Sequence, residues 1–114
     1  MKTVFIDIDG TLLNHCGDLT AQIQATLSAL PGAVQKMNEW NRKGYYIVLT
    51  SGRKESMREL TCRQLEAAGL FYDQLVMGLP RGPRVLINDN KPDMEETAVA
   101  FTVQRNGGIE EIVI

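Results

Sequence analysis

Val4-Phe5-Ile6-Asp7-Ile8-Asp9-Gly10-Thr11-Leu12 is the stretch from which the rest of the chain can be read. Val4-Phe5-Ile6 is short, β-branched and aromatic, and a polar turn ends it, the pattern of a buried strand. Side chains two apart on a strand share a face, so Ile6 and Ile8 should enter a core while Asp7 and Asp9 project together. Two carboxylates this close raise the cost of ionising both unless a cation lies between them. Mg²⁺, which prefers oxygen ligands, would resolve that conflict. Taken alone, the same residues also read as a solvated strand end entering the Gly10-Thr11 turn.

Two further apolar runs, Tyr45-Tyr46-Ile47-Val48-Leu49 and Val85-Leu86-Ile87, repeat the strand pattern. Between the first two runs, Pro31-Gly32 opens a segment in which Val34, Met37 and Trp40 recur at helical spacing, and Gly44 stops it. Between the second and third, Glu55 to Ala68 carries Met57, Leu60, Leu65 and Ala68 on one stripe and ends at Gly69. Leu75-Val76-Met77 reads as an additional strand, and 98–103 with 109–114 as a hairpin around Asn106-Gly107-Gly108. Strand alternating with helix predicts an open α/β fold, a mostly parallel sheet with helices on both faces. Residues 12–30 read as a flap followed by a short helix carrying Leu19, Ile23, Leu27 and Leu30.

The polar clusters all fall at strand carboxyl ends, where open α/β sheets bind ligands. Thr50-Ser51-Gly52 follows the second run; a hydroxyl beside a glycine at a helix start can donate to phosphate oxygens, and the backbone N–H groups favour negative charge. Asn88-Asp89 follows the third run, and Asp89 would complete a carboxylate set for the metal. Each cluster alone also reads as a helix N-cap or a turn. Their joint position at one edge favours a phosphate and Mg²⁺ site.

Composition sets the limits. The chain has 114 residues, a 44% hydrophobic share and a net charge of −2, enough for one core and no second domain. No apolar run approaches the twenty residues of a membrane span. The acidic pI of about 5.3 argues against a dedicated nucleic-acid or membrane-surface binder. Cys16 and Cys62 lie far apart with no metal-ligand spacing, and the N-terminus lacks a signal-peptide core, which together read as a cytoplasmic protein with two free thiols. The single histidine, His15, reads as a loop residue near the site mouth, and Trp40 as core. A homo-oligomer stays open.

At these residues the chain resembles the haloacid dehalogenase-like phosphohydrolase superfamily. Asp7-Ile8-Asp9-Gly10-Thr11-Leu12 is similar to its first motif, Ile47 to Arg53 to its second, and Val85 to Asp89 with Asp93 to its fourth. The resemblance implies an Mg²⁺-dependent phosphomonoesterase acting on a small phosphorylated metabolite, by analogy a sugar phosphate. Asp7 would be the nucleophile that forms an aspartyl-phosphate, and Asp9 the general acid/base. Mg²⁺ would be held by Asp7, Asp9 through its backbone carbonyl, and Asp89; Thr50, or else Ser51, with Gly52 would bind the phosphoryl group. The family's third-motif Lys is missing, since the only lysine between Gly52 and Asn88 is Lys54. Arg81, Arg84 or Lys91 would supply that cation, and guanidinium is not a neutral replacement. Residues 1–114 would form a single domain without the family's cap. Two alternatives remain at this stage: a degenerate member that binds phosphate or a partner without turnover, and a receiver-like phosphoacceptor module.

Overall fold

The computed structural model describes residues 1–24, 27–94 and 96–114. Its centre is a three-stranded parallel sheet in the order β1 (Thr3–Asp7), β2 (Tyr46–Thr50), β3 (Gln74–Val76). β1 pairs with β2 from Thr3↔Tyr46 to Asp7↔Thr50, and Leu49 of β2 lies opposite Leu75 of β3. Helices α1 (Leu19–Gln24), α2 (Ala33–Arg42) and α3 (Arg58–Ala67) provide the connections, the last entered through a 3₁₀ turn at Glu55–Met57. The expected open α/β fold is therefore present, with β3 in the place anticipated for Leu75-Val76-Met77.

The alternation in β1 sets the core. Ile6 and Ile8 are buried, together with Ile47, Leu49 and Leu75 from the same sheet face, and Ala33, Met37, Trp40 and Leu65 from the helices pack into this cluster. Burial of such side chains, at about 25 cal/mol per Å² of apolar surface, is the main favourable term of the fold. On the opposite face Phe5 stays 57% exposed, and Asp7, at the same face of β1, opens to solvent.

Four expectations are corrected. Leu12 and Leu13 are fully buried, and the N–H groups of Thr11, Leu12 and Leu13 all donate to the Ile8 carbonyl, so the start of the expected flap is a tight core turn. α1 does form, but Leu19 and Ile23 remain exposed; Ala25 and Thr26 of that expected helix lie outside the described residues.

Val85-Leu86-Ile87 makes no ladder, and Val85 and Ile87 are 81% and 91% exposed. Pro83 lacks an N–H, Gly82 turns the chain at φ +128°, and the run is three residues long, so nothing carries it onto β1. The 98–114 hairpin is absent too. The turn at Asn106-Gly107-Gly108 exists, closed by Gly107 N–H donating to Gln104 O at 3.0 Å, but its flanks pair with other parts of the molecule.

Those pairings fix the carboxyl-terminal segment. Asn106 N–H donates to Gly10 O at 2.8 Å, and Ile109 N–H to Pro31 O at 3.0 Å. Gly108 adopts φ +84°, and a Cβ there would meet the Pro31 carbonyl oxygen at 2.2 Å, so only glycine permits this approach.

Candidate active site

Asp7 ends β1 directly opposite Thr50 at the end of β2. Opposed residues in a parallel pair share a face, so these two expected site residues are brought together. The Thr50 hydroxyl donates weakly, at 3.5 Å, to the Ile6 carbonyl and stays half-buried. Ser51 is buried, and its hydroxyl accepts the Arg53 N–H at 3.0 Å. Of the two hydroxyls, Thr50 is thus the one open to a ligand. The turn at Gly52 is tied to β3, since Ser51 N–H donates to Val76 O and Leu79 N–H to Ser51 O.

Asp9 is held differently from Asp7. Arg53 Nε and Nη2 donate to its two carboxylate oxygens at 2.8 Å each, and Arg53 Nη1 donates to Thr61 Oγ1 at 3.0 Å and Gln64 Oε1 at 2.6 Å. The Arg53 residue is 4% exposed. Such a fork-to-fork pair fixes the carboxylate in direction as well as in position. From sequence alone Arg53 is only the tail of the stretch that is similar to the second motif. A usable signal was present in the pattern: an arginine one turn after a strand end, with Thr61 and Gln64 at helical spacing ahead of it on α3.

Asp7 receives no such partner. Thr11 Oγ1 donates to Asp7 Oδ2 at 3.3 Å. Partial burial, then the neighbouring Asp9 charge, push the Asp7 carboxyl above its ordinary range; the Ile8 N–H, the Thr11 hydroxyl and the Arg84 charge pull the other way. This is the electrostatic demand that a cation would meet.

The expected metal trio is not assembled. Among the described residues no group of three His, Cys, Asp or Glu side chains could hold a metal ion. Asp89 is exposed and ion-pairs with Lys91, while Asn88 Nδ2 donates to Thr97 O at 2.9 Å. The cause is the missing 85–87 strand, which would have delivered Asp89 to the sheet edge. Asp7 offers the oxygen chemistry that Mg²⁺ prefers, and the Arg53 pair leaves the Asp9 backbone carbonyl untouched, but Asp89 is paired with Lys91; the residues fit the ion only in part.

The three candidate cations separate clearly. Lys91 is engaged by Asp89, and Arg81 is exposed. Arg84 donates to Pro80 O at 2.7 Å, and its charge is felt at Asp7. A fourth arginine, absent from the expectation, enters from the far end of the chain. Arg105 lines, with Val103, a cleft of about 200 Å³ whose other walls are Asp7, Asp9, Gly10 and Thr11. His15 stands beside it, half-buried, its N–H donating to Asn106 Oδ1 and its Nδ1 accepting Gly17 N–H at 3.3 Å.

Comparison with known proteins accords with this arrangement. A family model described as haloacid dehalogenase-like hydrolase matches residues 4–73. Among solved structures, a chain of the Pnkp1/Rnl/Hen1 RNA repair complex is 32% identical, with a TM-score of 0.58 over 67% of this chain and 25% of that one. The D,D-heptose 1,7-bisphosphate phosphatase from B. bronchiseptica, complexed with magnesium and phosphate, is 22% identical with a TM-score of 0.50, over 73% and 52% of the two chains. A Vibrio cholerae protein is 19% identical with a TM-score of 0.55, over 78% and 80%. The chain thus spans about a quarter of the length of the RNA-repair chain it resembles. No curated protein matches it.

Proposed function

This chain belongs to the haloacid dehalogenase-like hydrolase family, and from that premise we propose that it is a phosphatase of small phosphorylated compounds with Asp7 as nucleophile. The observation that carries the reading is the pairing of Asp7 with Thr50 at adjacent strand ends, beside a cleft walled by Asp9, Gly10 and Thr11. Asp7 Oδ attacks phosphorus while the bond to the leaving oxygen breaks, giving an aspartyl-phosphate. Asp9 is assigned the general acid and base step; to take up the proton that it gives to the leaving oxygen and later receives from the attacking water, one of its oxygens has to leave the Arg53 fork that holds both. The Thr50 hydroxyl donates to a phosphoryl oxygen, and Arg84 supplies the positive charge assigned to the third motif. Mg²⁺, when bound at Asp7, supplies the charge that offsets repulsion between carboxylate and phosphate. The solved neighbour that holds magnesium and phosphate supports that choice of ion. Sugar phosphates are the substrate class favoured by the bisphosphate phosphatase neighbour, and RNA by the RNA-repair neighbour.

A second reading, a domain that binds phosphate without turnover, is favoured by one observation, the separation of Asp89 from Asp7. Phosphate release measured over sugar phosphates, nucleotides and 3′-phosphorylated DNA separates the two. The phosphatase reading expects release that depends on Mg²⁺ and disappears in Asp7→Asn. Release that persists in Asp7→Asn and in EDTA overturns it, and binding without release supports the second reading.

A further inference from the structure

Gly10 and His15 mark the two ends of a loop that one distant residue holds closed. On its inner side the Gly10 N–H donates to Leu13 O at 2.7 Å, the N–H groups of Thr11, Leu12 and Leu13 donate to Ile8 O, and the Leu12 and Leu13 side chains are buried. On its outer side the Gly10 carbonyl and the His15 N–H both meet Asn106. The Asn106 N–H donates to Gly10 O at 2.8 Å, and Asn106 Oδ1 accepts the His15 N–H at 2.9 Å.

The residue type suits this position. Asn106 stands at φ 61°, the single non-glycine residue with positive φ among those described, and asparagine enters that region more readily than most side chains. The terminal segment is anchored without the Asn106 side chain. Ile109 is buried and its N–H donates to Pro31 O at 3.0 Å, and a Cβ at Gly108 or at Gly32 would come within 2.2 Å of Pro31 O or 2.6 Å of Glu110 Cα. The bond from Asn106 Oδ1 therefore serves the loop and not the docking of the segment.

That loop ends beside the nucleophile. The Gly10 carbonyl and the Thr11 N–H belong to one planar peptide unit. Asn106 holds this unit by its oxygen, and Ile8 O holds it by its N–H at 3.2 Å. The plane from which the Thr11 side chain departs is thus fixed at both edges. Thr11 Oγ1 donates to Asp7 Oδ2 at 3.3 Å, a long contact for an O–H···O bond that a small rotation of the peptide would break. Contacts therefore run from Asn106 through Gly10 and Thr11 to Asp7, along the wall of the cleft.

We propose that Asn106 is a positioning residue for phosphoryl transfer: it closes the 10–15 loop, aims the Thr11 hydroxyl at Asp7 and so sets the rotation of the attacking carboxylate. This rests on the phosphatase reading and adds to it a residue outside every motif.

Asn106→Gly tests it, because glycine keeps the positive φ and the main-chain bond to Gly10 and loses only the Oδ1 bond to His15. Phosphate release is measured with Mg²⁺ on the compound best hydrolysed among sugar phosphates, nucleotides and 3′-phosphorylated DNA. The expected result is a loss of about tenfold in kcat with KM within about twofold, inside the hundredfold that a 1 Å misplacement can cost. Asn106→Asp, which still offers an oxygen to His15 and tolerates the same φ, should restore kcat to within about threefold of the parent protein. In a Thr11→Val background Asn106→Gly should change kcat by less than about twofold, since the path to Asp7 is already cut. Amide exchange at His15 should quicken in Asn106→Gly while exchange at Ile109 stays as it was. An unchanged kcat, an undiminished loss in the Thr11→Val background, or unchanged exchange at His15 overturns the proposal and leaves the phosphatase reading in place. If the parent protein releases no phosphate from any compound of the set, both fail.

Discussion

Replacing Arg53 by Met keeps much of the stem volume and removes a guanidinium that makes four hydrogen bonds, two to Asp9 and one each to Thr61 and Gln64. Breaking a buried pair by removing one partner costs about 3–5 kcal/mol, because the remaining charge loses its compensation. The Asp9 side chain is 15% exposed, so water reaches it in part and the lower half of that range applies to the carboxylate. Thr61 and Gln64 lose a donor where they are 0% and 8% exposed, adding about 1 kcal/mol between them since the hydroxyl can rotate. The sum is a loss of about 4–5 kcal/mol, against a total stability of about 6–17 kcal/mol for a chain of this length. Urea denaturation at pH 7 measures it.

Arg53→Lys retains the charge without the fork and should lose about half as much. The decisive measurement is the cycle with Asp9→Asn. Each single change strands the other group, so the double variant should be less damaged than the sum by about 2 kcal/mol or more. Additivity within about 0.5 kcal/mol, or an Arg53→Met loss below about 1 kcal/mol, would refute the view that this pair orients Asp9 at a cost the fold has to bear.

Three further outcomes are expected. Because burial and Asp9 raise the Asp7 carboxyl, the folded protein binds that proton more tightly than the unfolded chain; the resulting penalty is absent at low pH and grows as pH rises through the native titration. Asp7→Asn should therefore raise the melting temperature at pH 7 without Mg²⁺, with the gain vanishing toward pH 3; an equal gain at both pH values speaks against charge as the cause. Gly108→Ala should cost about 1–3 kcal/mol or more in urea denaturation, since its Cβ would lie 2.2 Å from Pro31 O; an unchanged midpoint would mean that the terminal segment does not dock. Tyr72, whose hydroxyl donates to Cys62 Sγ at 3.0 Å, is pushed up to about 12 chiefly by that bond. Absorbance titration should show one of the three tyrosines still protonated at pH 11 and Cys62→Ala returning it to the ordinary range; its contribution to stability is full below pH 10 and lost as pH rises toward 12.

The parts of the fold legible in the sequence are those set by local periodicity. Ile6 and Ile8 bury and Asp7 faces outward because strand side chains alternate. α2 runs from Ala33 to Arg42 with Met37 and Trp40 inward because its stripe repeats at helical spacing. Val85-Leu86-Ile87 carries the same local signal as Val4-Phe5-Ile6, yet it forms no ladder and stays exposed. Strand pairing is a property of two segments, and composition reports on one. Thr50 and Asp7 are legible as neighbours because each ends a strand in a parallel sheet; Asp89 is not brought beside them because the 85–87 run does not pair.

The arginines show why the site was harder to read than the fold. Arg53 meets Asp9 across 44 residues of chain, and Arg105 meets the Gly10 loop from the opposite end of the molecule. A charge beside a turn looks solvated in any local window, and only packing reveals what faces it. Once it is packed, the electrostatics of the Asp7-Ile8-Asp9 stretch change. Two carboxylates that should repel an incoming phosphate become one, because Arg53 holds Asp9. Asp7 then stands as the single unpaired acid at the cleft, with Arg84 acting on it and Arg105 on the wall. A dianionic phosphate thus meets more positive charge here than an Asp-x-Asp motif without its third-motif lysine implies. Under the proposed reading the work of that lysine falls to cations from a loop after β3 and from the terminal segment, positions that motif order does not address.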